Sequence, residues 1–360
     1  MKKNVTVVIS NHCNMDTIAK GCSYCCIQNR NTSPILSLEK IDSFIFEQLR
    51  NEEVNFFEFF GGEPTIHYNQ ISKIVNKFDF RYRMYTNGLF DFDKWVGTLE
   101  RFSEICFSID GPGIFNSKRG IGNNTFVTQK ALENLNRSLA YGLPITVAIV
   151  PSTTAHYDNL EEIFKFFIDL GVRSFSLETP SVIQDEHLNK KFGKEQLDKI
   201  IEFFFSFVVK KFIEEDEEDK ILFNLPKEFY PGQANNYPCS ESNIAISPSG
   251  KIYHCRDTAA NETKLMNTSK IEFFSDIKKI KEIENQHTCH VKVLQGFDSS
   301  SIVDEDNRIK VKAMYQVIKL MNKFYDDLIV KNDPEKSRET MNYISLFFTL
   351  NNLLLEAEKR

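Results

Sequence analysis

Three cysteines near the start of the chain carry the strongest chemical signal in the sequence. Cys13, Cys22 and Cys25 directly follow an apolar run at residues 5–9. Three thiolates on one loop can hold three irons of a four-iron cluster, which leaves the fourth iron free to bind a ligand that is not protein. The spacing therefore predicts an iron–sulfur cluster with one open coordination position.

A pair of glycines ends a second apolar run. Gly61 and Gly62 follow residues 54–60 and are themselves followed by Glu63 and Pro64. Because glycine has no side chain, the main chain can come close to a bound molecule at such a turn. Together with the cysteines, this turn indicates a small-molecule cofactor beside the cluster.

The cysteines also admit other interpretations. Cys22 and Cys25 could form half of a zinc site, but zinc ribbons normally pair two CxxC motifs in one short module, and the sequence has only one such motif. We expect Cys26 to be a packing residue or a spare thiol. Cys106 lies inside a predicted strand and is expected to be a small buried hydrophobic residue.

Short β-rich runs alternate with helical patterns from the start of the chain. The predicted strands are residues 5–10, 54–60, 83–86, 105–110, 145–151 and 173–177. The predicted helices are residues 38–50, 128–141 and 159–170. We expect Ser37 to cap the N-terminus of the helix at residues 38–50. Asp158 and Glu161 are expected to form a capping box at the start of the helix at residues 159–170, and Gly171 to end that helix.

This alternation predicts the fold class. Strands that alternate with helices at this spacing indicate parallel βαβ units, and six such units make a partial TIM-like (βα)6 barrel. In that architecture the reactive residues lie on loops at the carboxyl ends of the strands, which is where both motifs fall. We therefore predict an α/β fold with a smaller C-terminal domain, built from a β-hairpin at residues 244–254 and helices.

Composition and charge exclude several classes of protein. The 360 residues carry a net charge of −6, whereas a general nucleic-acid binder needs a basic surface to neutralise phosphates. No apolar stretch approaches the roughly 20 residues that cross a bilayer, and the N-terminus is too short for the core of a signal peptide. We expect a soluble, cytoplasmic protein that acts on neither nucleic acid nor membrane.

Four motifs, in this order, resemble those of radical S-adenosyl-L-methionine (SAM) enzymes. They are the cysteine loop, the GGEP turn at residues 61–64, the sequence YTNG at residues 85–88 and the sequence FSIDGP at residues 107–112. Their order and spacing are similar to those of the branch that carries a SPASM or twitch domain. The resemblance covers roughly residues 4–180 and extends more weakly to about residue 295.

The resemblance implies a set of cofactor ligands. Cys13, Cys22 and Cys25 would hold a 4Fe-4S cluster whose open iron binds the amine and carboxylate of SAM. Tyr24 would lie against the adenine, and the backbone of the GGEP turn would meet the methionine amine. The implied cofactor-binding residues are Tyr24, Gly61, Gly62, Glu63, Pro64, Asn87, Ser108 and Asp110 near the ribose, and Arg119 near the carboxylate.

One spacing departs from the family pattern. The family's usual motif is CxxxCxxC, whereas eight residues separate Cys13 from Cys22. We interpret residues 14–21 as an enlarged loop between the first two ligands.

A second cysteine group resembles the opening of a SPASM or twitch auxiliary-cluster domain. Cys239 and Cys255 frame the predicted hairpin, whose turn lies at residues 248–250, and Cys289 follows. The family pattern has a further cysteine where this chain has Lys292, so at most one auxiliary Fe-S cluster is expected. Such a cluster would have an open iron or a fourth ligand from the nearby histidines, His254, His287 and His290. The alternative is a degenerate domain with buried cysteines.

The resemblance also implies a domain order and a reaction. The expected domains are a barrel core at 1–185, a helical connection at 186–235, an auxiliary domain at 236–295 and C-terminal helices at 296–360. An external donor such as flavodoxin or ferredoxin would reduce the cluster, SAM would be cleaved to a 5′-deoxyadenosyl radical, and the radical would abstract a hydrogen atom.

The leading hypothesis is a maturase of a ribosomally made peptide or of a protein, forming a cross-link, a thioether or an epimerised residue. The alternatives are a sulfatase-maturase-like formation of formylglycine and a zinc-binding regulatory module.

Overall fold

One parallel sheet forms the centre of the molecule. The computed structural model describes residues 2–25, 27, 32–178, 194–217, 219–224, 243–253, 256–260 and 305–358. Within these residues the strands are β1 (Lys3–Val8), β2 (Val54–Phe60), β3 (Tyr82–Thr86), β4 (Phe102–Ser108), β5 (Ile145–Ile149), β6 (Ser174–Leu177), β7 (Leu222–Asn224), β8 (Asn243–Ile246) and β9 (Ile252–Tyr253).

Helices connect the strands and continue after them. They are α1 (Asn14–Ala19), α2 (Leu38–Gln48), α3 (Tyr68–Lys77), α4 (Phe92–Leu99), α5 (Asn124–Ala140), α6 (Thr154–Asp158), α7 (Leu160–Asp169), α8 (Lys194–Phe203), α9 (Lys210–Glu214), α10 (Arg256–Ala260), α11 (Glu305–Tyr325) and α12 (Pro334–Glu358). Short 3-10 helices lie at Pro64–His67 and Gly113–Asn116, and π-helical turns at Phe204–Val209 and Asp326–Val330. None of the described helices combines the length and apolar character needed to span a bilayer.

The strand order confirms the predicted fold class. The order is β7-β6-β5-β4-β3-β2-β1-β8-β9, and all neighbours from β7 to β8 are parallel. The first six strands form the predicted series of βα units. The sheet extends beyond it at both ends, with β7 beside β6 and β8 beside β1.

The predicted hairpin is present, and it belongs to the main sheet. β8 and β9 are antiparallel, as the turn at residues 248–250 predicts. β8 also pairs with β1 in parallel, and the Asn4 side-chain amide donates to the Asn243 side-chain oxygen at 3.0 Å. Because of this pairing, β8 and β9 extend the main sheet beside β1. The division into domains at the predicted boundaries stays a prediction.

The two faces of the sheet differ in chemistry. Successive strand residues point to opposite faces, and one face carries the large apolar side chains, such as Phe57, Phe59 and Met84, which pack into the main core. The other, inner face carries polar side chains, among them Glu58 and Arg83. Parallel sheets are usually apolar on both faces, so a polar inner face marks a region with a purpose other than packing.

Two local predictions need correction. Residues 14–21 are not simply an enlarged loop, because Asn14–Ala19 forms helix α1. Asp158 does not cap a helix with Glu161: it ends α6, and its carboxylate pairs with Lys199 of α8. By contrast, Ser37 caps α2 through a hydrogen bond from the Lys40 amide, as predicted.

Candidate cofactor site

The cysteine loop lies at the carboxyl end of β1. Cys13 occupies the N-cap position of α1, Cys22 forms an isolated antiparallel bridge with Arg119, and Cys25 packs against a small apolar cluster that includes Ala259. All three thiols are free and half-buried. The loop is therefore held by distant parts of the chain at Cys22 and at Cys25.

Helix α1 brings Cys22 back toward the sheet after the eight intervening residues. Lys20 and Gly21 both have positive φ angles, of 57° and 77°, so the chain reverses directly after the helix. The amides of Gly120 and Ile121 donate to the Gly21 carbonyl at 3.0 and 3.3 Å, and Gly122 donates to the Ala19 carbonyl at 2.9 Å. These hydrogen bonds fix the end of α1 on the segment before α5.

Burial keeps two of the thiols protonated in the metal-free protein. Burial raises the pKa of Cys13 far above its usual range, and the nearby Glu63 charge raises it further. Burial raises the pKa of Cys22 to about 11, against the opposing effect of Arg119. The Cys22 and Cys25 charges also act on Cys13, so the three thiols share one electrostatic environment. Metal binding must displace thiol protons, because the thiolate is the ligand.

The two glycines of the GGEP turn contact the cysteine loop itself. Gly62 donates to the Ser10 carbonyl at 3.1 Å, and Glu63 donates to the His12 carbonyl at 2.8 Å. A Cβ added at Gly62 would lie 2.1 Å from the His12 oxygen, and one added at Gly61 would lie 2.4 Å from the Ser10 oxygen. Side chains at either position would push the turn away from the loop. The expected contact of this turn with a methionine amine stays a prediction.

The Glu63 side chain joins the ends of two strands. Its carboxylate accepts hydrogen bonds from Thr65 Oγ1 at 2.6 Å, from Thr86 Oγ1 at 2.8 Å and from the Asn87 amide at 2.7 Å. Burial raises the pKa of Glu63, and the hydrogen bonds oppose that rise. Pro64 begins the following 3-10 helix. Glu63 therefore links the carboxyl end of β2 to the carboxyl end of β3 through hydrogen bonds.

Asn87 connects β3 to the first cysteine. Its side-chain amide donates to Asn14 Oδ1 at 2.8 Å and lies 3.8 Å from Cys13 Sγ, and its oxygen accepts from the Leu89 amide at 2.9 Å. The predicted motif residues of β2 and β3 are thus brought together with the cysteine loop.

Asp110 makes the corresponding connection from β4. Its carboxylate accepts hydrogen bonds from the Tyr24 hydroxyl, from Arg119 at 3.0 Å and from the Val150 amide at 2.9 Å. Asp110 is fully buried, and the Arg119 guanidinium lies 5.3 Å from the centre of the Tyr24 ring. The carboxylate raises the pKa of Arg119, and burial raises the pKa of Tyr24. Ser108 lies nearby, half-buried at the end of β4.

The kinds of side chain on the cysteine loop match the cofactors that the sequence implies. Three thiols stand on one loop, and the buried Arg119 Nε and Ser23 Oγ have no hydrogen-bond partner. These two polar groups beside the loop remain available to a bound molecule. Among the described residues, no group of three or more His, Cys, Asp or Glu side chains is arranged to hold a metal ion, so the ligand roles stay predictions. The residues of the second group, Cys239, Cys255 and Cys289 with the three histidines, lie outside the described residues.

Sequence reasoning missed a charged network on the inner face. Arg83 Nε lies 3.1 Å from a Glu104 oxygen and 3.6 Å from a Glu58 oxygen. Cys106 is buried as predicted, but it is not a hydrophobic packing residue: its thiol donates to Glu104 at 3.4 Å, and Arg83 donates to its sulfur at 3.7 Å. The signal was present, since charged residues inside predicted strands must face a polar environment.

Arg256 of α10 extends this network from the C-terminal part of the chain. Its guanidinium lies 4.8 Å from the ring centre of Phe60 and 5.1 Å from that of Tyr85, and 3.6 Å from Glu58. The inner face therefore combines charged and aromatic groups below the cysteine loop.

Comparison with known proteins defines the class of domain. Residues 7–167 match the Radical SAM superfamily, and these residues include the cysteine loop, the GGEP turn and Asp110. Members of this superfamily are enzymes, and the match implies a 4Fe-4S cluster and SAM for this part of the chain. An uncharacterised protein of Methanocaldococcus jannaschii, MJ0907, is 25% identical over 207 residues, which cover 55% of this chain and 70% of that protein.

Solved structures agree on the fold. Streptococcus suis SuiB, bound to its precursor peptide SuiA, has a TM-score of 0.58 at 16% identity, over 78% of this chain and 64% of that one. The protein anSMEcpe, with bound AdoMet, has a TM-score of 0.58 at 16% identity, over 88% and 84%. At these identities the likeness shows the radical SAM fold alone.

Proposed function

We propose that the chain is a radical SAM enzyme that abstracts a hydrogen atom from a peptide or protein. The observation that carries this proposal is the direct hydrogen bonding of the GGEP turn to the cysteine loop within the matched domain. The cluster and SAM, when bound, supply a 5′-deoxyadenosyl radical. The protein's part is to hold the cofactors, to orient them against the substrate and to exclude water.

Named residues would divide these tasks. Cys13, Cys22 and Cys25 hold the cluster, and the bond from Tyr24 to Asp110 fixes the loop between the last two ligands. The charged inner face would line the substrate site below. At most one auxiliary cluster, on Cys239, Cys255 and Cys289, would complete the enzyme.

A peptide substrate is supported by two of the similar structures. SuiB was solved with its precursor peptide SuiA, and anSMEcpe was solved with the Cp18Cys peptide at a TM-score of 0.57 to this chain. The product would be a cross-link, a thioether or an epimerised residue, and formylglycine is the alternative product.

Anaerobic assay of the reconstituted chain tests the proposal. We expect 5′-deoxyadenosine to form when SAM and a reductant are added, and to be absent from a Cys22→Ala/Cys25→Ala variant. A well-formed iron–sulfur cluster without 5′-deoxyadenosine would exclude the enzyme. Zinc in place of iron would favour the regulatory module. Mass spectrometry of candidate peptides encoded beside the gene then identifies the product, since a cross-link or thioether removes two hydrogens and epimerisation removes none.

Two variants test the ligand assignments. Cys13→Ala should prevent formation of the first cluster, and a variant that keeps it would refute this ligand. Cys239→Ala/Cys255→Ala/Cys289→Ala should lower the iron content without removing the first cluster. Unchanged iron content would eliminate the auxiliary cluster.

A further inference from the structure

Exposed apolar side chains lie on the outer side of the cysteine loop. Ile18 on α1 is 38% exposed, Ile121 is 57% exposed and Phe126 in the first turn of α5 is 48% exposed. We call these three residues, with Lys20 and Lys118, the α1 surface. Single exposed apolar residues are ordinary, but several on adjoining segments mark an interaction site.

Hydrogen bonds hold the α1 surface directly against the cluster ligands. The Ser23 amide, beside Cys22, donates to the Lys118 carbonyl at 3.0 Å. A Cβ added at Gly122 would lie 3.1 Å from Lys20 Cγ, so the two segments that carry the surface touch. A protein bound to the α1 surface would therefore come close to the cysteine loop on the side that faces away from the inner face of the sheet.

The charge of this surface is opposite to that of the whole protein. The chain carries a net charge of −6, yet residues 14–20 and 113–126 contain one carboxylate, Asp16, and three basic residues. Arg119 is buried against Asp110, which leaves the exposed Lys20 and the half-buried Lys118. The positive N-terminal end of the helix dipole of α5, a helix of 17 residues, points to the same side.

We propose that the α1 surface is the docking site of a small acidic protein that carries single electrons. The inference rests on the proposed function, because a redox cluster needs such a donor. In the transfer the reduced cofactor of the carrier loses one electron and the cluster gains it, with no bond made or broken. An apolar centre with basic neighbours suits a short-lived electron-transfer complex, whose interface is small and whose charges speed the encounter.

Binding of an acidic flavodoxin to the 360-residue chain tests the proposal before any cluster is loaded. We expect calorimetry to show binding that weakens with added salt. Lys20→Glu/Lys118→Glu should raise the Kd by about tenfold or more, and Ile121→Ser/Phe126→Ser should weaken binding at every salt concentration. Lys73→Glu and Tyr343→Ser, exposed substitutions outside the α1 surface, should leave the Kd unchanged.

Reduction of the reconstituted protein separates this inference from the proposed function. Flavodoxin hydroquinone should reduce the Lys20→Glu/Lys118→Glu variant more slowly than wild type, whereas dithionite should reduce both equally. Failure of both reductants with wild type would contradict the proposed function. Equal flavodoxin binding by variants and wild type would overturn the docking site. The docking site would also be overturned if the wild-type chain bound neither an acidic flavodoxin nor an acidic ferredoxin. It would be overturned as well if the chain formed a dimer that the variants dissociate.

Discussion

At the scale of single residues, Asp110 connects the cysteine loop to the ends of β4 and β5 through hydrogen bonds. Its one carboxylate receives a tyrosine hydroxyl from the loop, the Arg119 guanidinium and a backbone amide after β5. Removing one partner of a buried charge pair leaves the other charge uncompensated, which costs more than loss of a neutral hydrogen bond.

Asp110→Asn should therefore destabilise the protein much more than Tyr24→Phe. We expect Asp110→Asn to lower the free energy of unfolding by about 3 kcal/mol or more, because Arg119 then remains buried without its counter-charge. Tyr24→Phe removes one hydroxyl and should cost about 1 kcal/mol. Urea denaturation of the metal-free proteins measures both, and an equal or larger cost for Tyr24→Phe would contradict this division.

The glycines of the GGEP turn allow a second residue-scale prediction. Gly62→Ala should cost about 1–3 kcal/mol and lower the iron bound after reconstitution, because the added methyl collides with the His12 and Asn11 carbonyls. Gly97→Ala is the matched control: a Cβ at Gly97 of α4 meets nothing within 4 Å, and alanine should stabilise the helix by up to about 1 kcal/mol. Equal iron content and stability in both variants would refute the steric argument.

That the motif residues come together is predictable from sequence, but the hydrogen bonds that join them are not. The Tyr24 hydroxyl meets Asp110 across 86 positions of sequence, and Asn87 meets Cys13 across 74. No local pattern encodes such pairings, because they depend on neighbouring strands ending at the same edge of the sheet. Their contact with SAM is a separate prediction that stays open.

At the scale of elements, the strands are predictable and α1 is not. The predicted strand 54–60 agrees with β2 at both ends, because its seven residues have the length of a strand, are rich in aromatic side chains and end at a Gly-Gly turn. Helix α1 has six residues, too few to show a helical period. It is fixed by hydrogen bonds from residues 120–122 to its last turn, and these come from a distant segment.

The 3-10 helix after the GGEP turn ends in a buried histidine with a pH-dependent consequence. His67 Nε2 lies 2.6 Å from Ser10 Oγ, at the start of the cysteine loop. Burial lowers the pKa of His67 from 6.5 to about 4, and the charge of His12 lowers it further. The folded state therefore disfavours the protonated imidazole.

Stability should consequently fall as the pH drops from 6.5 toward 4. In that window the unfolded chain binds a proton at His67 and the folded chain does not, so the free energy of unfolding decreases by up to about 3 kcal/mol. His67→Gln removes this titration, and its stability should change less with pH. Denaturation curves at pH 7 and pH 5 measure the difference between the two proteins. If both proteins lost the same free energy of unfolding between pH 7 and pH 5, His67 would be excluded as the source of the pH dependence.

At the scale of the whole molecule, helix α10 from the C-terminal part of the chain packs against the cysteine loop. Ala259 and Ala260 of α10 are buried in one cluster with Val8 and Ile27, against which Cys25 packs. The Asn11 side-chain amide donates to the Ala260 carbonyl. Residues 7–167, which match the Radical SAM superfamily, thus pack against a helix that lies outside the matched region.

Ala259→Glu should weaken the cluster loop without altering a ligand. A carboxylate forced into this dry contact would displace α10, and we expect faster hydrogen exchange in the cysteine loop and in α10, with less iron bound. Ile66→Glu introduces the same side chain at a position that is 41% exposed and should change neither quantity. Unchanged exchange in Ala259→Glu would show that α10 does not support the loop.

The position of β1 between β2 and β8 also sets the order of assembly during synthesis. β1 can pair with β2 early, but its other edge has no strand beside it until residues 243–246 have left the ribosome; Asn4 and Asn243 are 239 positions apart. Closing so large a loop costs chain entropy and makes this a slow step. The wall beside Cys25 therefore closes only after β8 and α10 have been synthesised, and until then this side of the cysteine loop would stay open to solvent.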